Sequence, residues 1–156
     1  MTVDTYAPQS GDTSFRVLEY QLKLRYRVLT NRLDGEVAIV AVANEPLTSF
    51  RLDLVGLKAD RVRVGDEKRS SFRQGNRKLT ITPALGIATG QEFRVHIRYS
   101  GTPGPRTSRW GQVGWEHLED GILVASQPTG APTWFPCNDR PSDKARYRLE
   151  VTLEDG

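Results

Sequence analysis

Few side chains in this sequence are equipped for catalysis, and they are scattered. The groups suited to proton transfer, nucleophilic attack or metal binding are His96, His117, Cys137, Asp139 and Asp143. A catalytic zinc takes about three protein ligands converging on one point. His117 lies in Trp115-Glu116-His117-Leu118-Glu119 with no second histidine one helical turn away, so HExxH is missing. His96 falls on the charged side of an alternating run, the context of a solvated or hydrogen-bonded histidine. A Cys137–His117 thiolate pair is conceivable. Pro136 beside Cys137 and the aromatics before it predict a buried, inert thiol instead. Asp139 and Asp143 resemble paired acids, but Asp139 before Arg140-Pro141 reads as a turn-former bonding its own backbone. There is no Gly-x-Ser-x-Gly elbow and no phosphate-cradling glycine loop. The residues predict neither a metal site nor a catalytic one within this chain.

The most informative stretch is Gln127-Pro-Thr-Gly-Ala-Pro-Thr-Trp-Phe-Pro-Cys-Asn-Asp-Arg-Pro141, followed by Ser-Asp-Lys144-Ala-Arg146. Its prolines fix φ and remove backbone donors, so the path is rigid and neither helix nor strand. Loops are usually polar; one carrying Trp134-Phe135 is docked onto something. Gln127 opens the loop. Its amide oxygen can accept a hydrogen bond from an ammonium group, or it can cap backbone groups at a strand end.

The elements that must hold this loop announce themselves by period-two alternation. Tyr20, Leu22, Leu24, Tyr26 and Val28 face one side, and Gln21, Lys23, Arg25 and Arg27 the other. Asn31 to Gly35 reads as a turn. Glu36 to Ala43 is a nearly continuous β-branched run, expected as a central strand buried on both sides. Phe50-Leu52-Leu54, Ala59 to Val64, Lys78 to Thr82, Phe93 to Tyr99 and Gly121 to Ser126 follow, and Tyr147, Leu149, Val151 and Leu153 close the series. Lys68 to Asn76 reads as turn, and Ser100 to Val113 as one long mobile loop. About eight strands without a helical stretch predict an all-β fold, an antiparallel β-sandwich or barrel. Residues 1–13 read as a flexible lead-in and 14–156 as a single domain. Glu154-Asp155-Gly156, straight after a strong strand, suggests a piece of a longer protein.

At 156 residues the chain can bury a core. Its net charge of +3 is spread over 22 basic and 19 acidic residues. That pattern predicts no nucleic-acid and no membrane partner. The lone cysteine and the polar N-terminus, without an apolar run, point to the cytoplasm.

Gln127, then Phe135-Pro136-Cys137-x-Asp139-x-Pro141, then Lys144-Ala145-x-Tyr147, resembles the signature near the end of the N-terminal domain of the aminopeptidase N family of zinc aminopeptidases. Tyr20-Gln-Leu-Lys-Leu and Leu52-Asp53-Leu54-Val-Gly56-Leu57 match the family's strands more loosely. Arg140 stands where the family usually has Glu, and Pro132 where its spacer has Arg. Ala125 stands where an upstream Gln is frequent.

The resemblance implies a saddle-shaped β-sandwich that walls the active-site cleft of a zinc-bearing catalytic domain in the same polypeptide. It implies that Gln127 helps bind the substrate's α-amino group, and that Trp134, Phe135, Pro136, Cys137, Asp139, Pro141 and Lys144 form the structural loop. The catalytic motifs are missing from this chain, which alone is expected to be inactive, with no cofactor of its own. Two rival readings stand beside this one: a freestanding β-sandwich interaction scaffold, and a carbohydrate-binding sandwich using Trp110, Trp115 and Trp134. The first reading further expects the Trp134-Phe135 loop to expose an apolar patch.

Overall fold

The alternating runs become strands in a computed structural model that describes residues 7–154. They are β1 (Phe15–Arg27), β2 (Arg32–Ala43), β3 (Phe50–Asp53), β4 (Lys58–Val64), β5 (Ser71–Gln74) and β6 (Lys78–Thr82). Then come β7 (Glu92–Gly101), β8 (Arg106–Ser108), β9 (Gly111–Leu118), β10 (Gly121–Ala125) and β11 (Arg146–Glu154). A single 3-10 turn, Ala131–Thr133, interrupts them, and the described residues hold no α-helix. No helix among them is long and apolar enough to cross a membrane.

Three sheets form. The largest runs β11-β1-β2-β7-β4, and two three-stranded sheets run β3-β6-β5 and β10-β9-β8. Pairing is antiparallel except at β1–β11, which is parallel, with Tyr20 opposite Tyr147 and Leu22 opposite Leu149. A parallel partner arrives from far along the chain, so local alternation does not reveal it.

The apolar side of the large sheet meets β3-β6-β5. Phe15, Phe50 and Phe93 close the seam with ring centroids 5.3–6.0 Å apart. Burying each such ring contributes roughly 2–3 kcal/mol. The third sheet joins through Trp115 on β9, whose ring meets Tyr26 at 5.0 Å.

Several expectations change. The turn after β1 lies at residues 28–31, and β2 starts at Arg32. β2 is central, but its buried residues lie mostly on one face. Residues 71–74 form β5, and the expected loop 100–113 contains the end of β7, all of β8 and the start of β9. These strands are polar or glycine-bearing, and their partners, not their own pattern, make them strands.

The lead-in expected at residues 1–13 begins outside the described residues. From Gly11 onward it is hydrogen-bonded: Gly11 N–H donates to Asp53 Oδ2 at 2.8 Å and Asp12 N–H to Asn138 Oδ1 at 2.7 Å.

The apolar patch also lies elsewhere than expected. Phe135 is only 2% exposed, and Trp134 packs against the core. Instead Tyr147, Leu149, Val151 and Leu153 of edge strand β11 are open, from 48% to 62% exposed. They are in register with the buried side chains of β1. Neither small sheet covers that edge.

Candidate functional site

Loop 126–145 is a keystone set between all three sheets, and local chemistry explains its path. Thr133 Oγ donates to Gly130 O at 2.7 Å and accepts the Trp115 N–H at 3.0 Å, tying the 3-10 turn to β9. This approach requires a glycine at 114. A Cβ there would lie 2.3 Å from Thr133 Oγ, and the local φ is +105°. Val55 N–H donates to Pro132 O at 2.9 Å. Cys137 and Asp53 exchange backbone hydrogen bonds at 2.7 and 3.1 Å, so the loop extends β3 by one bridge. Tyr20 OH accepts the Asn138 N–H at 3.0 Å, and Asp143 Oδ2 accepts the Val17 N–H at 3.2 Å. Phe135 meets Tyr20 edge-on at 5.5 Å and Trp134 at 4.3 Å. The seven loop-motif residues therefore divide. Phe135, Pro136, Cys137 and Asp139 are buried, Trp134 is half-buried, and Pro141 and Lys144 are exposed.

Beneath the loop lies a buried charge cluster. Lys78 Nζ sits 2.6 Å from Asp53 Oδ1, and Asp53 Oδ2 accepts the N–H groups of Gly11 and Asp139 at 2.8 and 3.2 Å. Arg106 Nη2 is 3.9 Å from Asp139 Oδ2. Asp139, expected as a turn-former bonding its own backbone, instead turns its carboxylate into this cluster. Burial pushes its carboxyl up to about 6, and the negative charge of Asp53 adds to the effect. Arg106, Lys78 and the Gly130 N–H pull the other way. Burial, reinforced by the charges of Asp139 and Asp53, pushes the Cys137 thiol well above its ordinary value. A protonated, buried thiol is a poor nucleophile. The exposed His117 contacts Val28 O through Nε2 at 2.9 Å, so no Cys137–His117 pair forms.

Gln127 stands apart from this packing. It follows β10, its side chain is exposed, and the peptide bond to Pro128 is cis. It makes no hydrogen bond to the described residues. Sequence reasoning missed Asp53, Lys78, Arg106 and Thr133. Asp53 alternates with Leu52 and Leu54 as a solvent-facing residue would, and nothing local marks its burial. The tryptophans do not form a sugar platform: Trp115 is 2% exposed, Trp134 is packed, and only Trp110 is open.

The sequence matches the peptidase M1 N-terminal domain family over residues 17–155. The chain belongs to this family. Solved structures agree with the assignment. The M1 zinc metallopeptidase from Deinococcus radiodurans has 28% identity and a TM-score of 0.89 over 98% of this chain and 36% of that one. A mutant of the Deinococcus radiodurans enzyme bound to a Tyr-Ser-Ala substrate has 29% identity and a TM-score of 0.86, over 94% of this chain and 34% of that one. A two-domain M1 zinc metallopeptidase mutant bound to L-arginine has 28% identity and a TM-score of 0.87, over 94% and 34%. This M1 N-terminal domain thus spans about a third of the length of those proteins. No curated protein matches it significantly.

The M1 proteins above are zinc metallopeptidases, so the donor sets of this domain bear on zinc. Cys137, Asp53 and Asp139 come nearest to one, but the thiol is held protonated and Lys78 occupies Asp53. Among the described residues no group of three His, Cys, Asp or Glu side chains could hold a metal ion. These residues do not fit zinc.

Proposed function

We propose that this chain is the non-catalytic N-terminal domain of a zinc aminopeptidase, and that Gln127 binds the α-amino group of the peptide substrate. The zinc and the hydrolytic chemistry then belong to a catalytic domain of the same polypeptide, whose cleft this domain walls on one side. The observation that carries the reading is the contrast within one loop. Pro132 to Asp139 are pinned or packed, while the Gln127 amide is exposed and without a partner among the described residues. An amide oxygen accepts a hydrogen bond from an ammonium group without adding a charge that would trap the product. The proline-rich segment behind it restricts the backbone from which the amide projects, which lowers the ordering cost of recognising a small cation. The peptide in one similar structure is consistent with such a substrate. The cytoplasm remains the proposed location, resting on the lone cysteine.

The test is Gln127→Ala in the full-length polypeptide. A hydrogen bond to a charged group is worth about 1.5–3 kcal/mol, so kcat/KM on amino-acid amides should fall roughly 10- to 100-fold. Most of the loss should appear in KM. Unchanged kinetics would remove Gln127 from amine recognition. A full-length polypeptide without HExxH, zinc or peptidase activity would favour the scaffold reading.

A further inference from the structure

The outer face of the large sheet carries a basic depression that the proposed peptidase role does not use. It is an open hollow of about 680 Å³ whose charged lining is Lys23, Arg61, Arg63, Arg98 and Arg148 against Glu36 and Glu150, with His96 among them. Its floor is set by strand register. One row across all five strands reads Arg148, Gln21, Ala38, His96, Arg63, with no acid in it. Ala38, the smallest side chain, sits at the centre of the row and makes the hollow. The next row reads Glu150, Lys23, Glu36, Arg98, Arg61.

Four acids on this face are taken up in pairs, while Glu150 in the depression and Asp60 at its margin have no ion pair among the described residues. Glu36 holds Arg98 at 3.3 Å, Glu19 holds Arg146 at 3.4 Å, and Glu154 and Asp34 hold Arg25 and Arg27. Among the described residues, Lys23, Arg61, Arg63 and Arg148 have no carboxylate at ion-pair distance. The His96 imidazole registers this field: burial and the guanidiniums of Arg63 and Arg94 push it below its ordinary value, against Glu36.

We infer that this depression docks an acidic, extended peptide segment of a partner protein. Five strands at about 4.8 Å spacing give a row of roughly 19 Å, the reach of about six extended residues. Carboxylates spaced along such a segment meet Arg148 at one end and Arg63 at the other, and Gln21 and His96 supply polar contacts between them. A nucleic acid fits less well, because the lining has no aromatic ring for bases to stack on. A bilayer fits less well still, because the surface is hollow and presents no exposed large apolar side chain.

The probe is a fluorescein-labelled octaglutamate peptide, titrated against the full-length polypeptide and followed by anisotropy. Binding is expected, weakened about tenfold in Arg63→Glu/Arg148→Glu as for two exposed charge contacts. It should be lost near about 0.5 M salt, where the Debye length is only a few ångströms. Arg69→Glu/Arg73→Glu makes the same charge change outside the depression and should leave binding intact. Arg69, Arg73 and Arg148 are exposed and Arg63 is half-buried, and circular dichroism verifies that the fold is kept. No binding, or equal loss in both double variants, would overturn the inference. So would capture of oligo(dT) or phosphatidylserine vesicles through Arg63 and Arg148 without capture of octaglutamate.

Discussion

The backbone N–H of Asp139 donates to the carboxylate of Asp53 at 3.2 Å, across 86 residues of chain. The side chains of the two acids lie in the same buried cluster, and only Asp53 has a close lysine. Burial acts first on Asp139, and the negative charge of Asp53 adds to it. The Asp139 carboxyl is pushed up from 3.8 to about 6, so the folded protein keeps a proton that the unfolded chain gives up between those values. Stability from this group is greatest at low pH and is lost as pH rises through that window. The shift corresponds to an effect on the order of 3 kcal/mol. Asp139→Asn should flatten the profile. In urea denaturation its stability relative to the parent sequence should improve by about 2 kcal/mol between pH ~4.5 and ~7.5, the rest of the effect lying below that window. Parallel profiles would show that Asp139 does not titrate there.

Lys78 supplies the charge that makes Asp53 tolerable. Removing one partner of a buried pair leaves an uncompensated charge, which costs about 3–5 kcal/mol. Lys78→Met should therefore cost about 3 kcal/mol, since Lys78 is itself partly exposed. Arg27→Ala, which breaks surface pairs with Asp34 and Glu154, should cost no more than about 1 kcal/mol. Equal costs for the two would contradict the buried-cluster reading.

Gly11 tests how the N-terminal segment is clamped. Its φ is +72°, and a Cβ there would lie 2.1 Å from Arg140 Cγ. Gly90 has φ +77° with nothing within 4 Å, so it isolates the backbone cost. Gly90→Ala should cost about 1 kcal/mol, and Gly11→Ala about 2–3 kcal/mol. Arg140→Ala in the Gly11→Ala background should recover the difference. A cost at Gly11 equal to that at Gly90 would mean that Arg140 moves aside freely.

The tryptophans separate packing from surface. Trp115→Ala should cost about 3–5 kcal/mol, as for a large buried aromatic. Trp110 is 48% exposed and lies under Arg109 with the guanidinium carbon 4.2 Å from the ring centroid. Trp110→Ala should stay within about 0.5 kcal/mol. Thermal melts of the two variants would reveal a reversal.

Period-two alternation determined β1, β4, β6 and β7 from sequence alone, because each alternates between core and solvent along its own length. The proline spacing likewise pointed to an irregular path over 127–141, since proline acts on its own backbone and its neighbour's, but not to the 3-10 turn at Ala131–Thr133 or the bridge at Cys137. The loop motif was enough to suggest the family. What the sequence left open was everything that depends on a distant partner. β5 and β8 are too short and polar to declare themselves, β9 is broken up by Gly111 and Gly114, and pairing makes all three strands. Asp53 and Asp139 each look solvent-facing locally; they are buried together because loop 126–145 folds back over β3. Tyr147, Leu149, Val151 and Leu153 show a perfect buried-strand pattern and yet lie open, because the pattern encodes a face and cannot encode what covers it. In the same way the charges of β1, β2, β4, β7 and β11 look evenly interspersed along the chain. Only strand register sets Arg148, His96 and Arg63 in one row without an acid, since the side-chain period along a strand is local while its neighbour across the sheet is chosen by tertiary pairing.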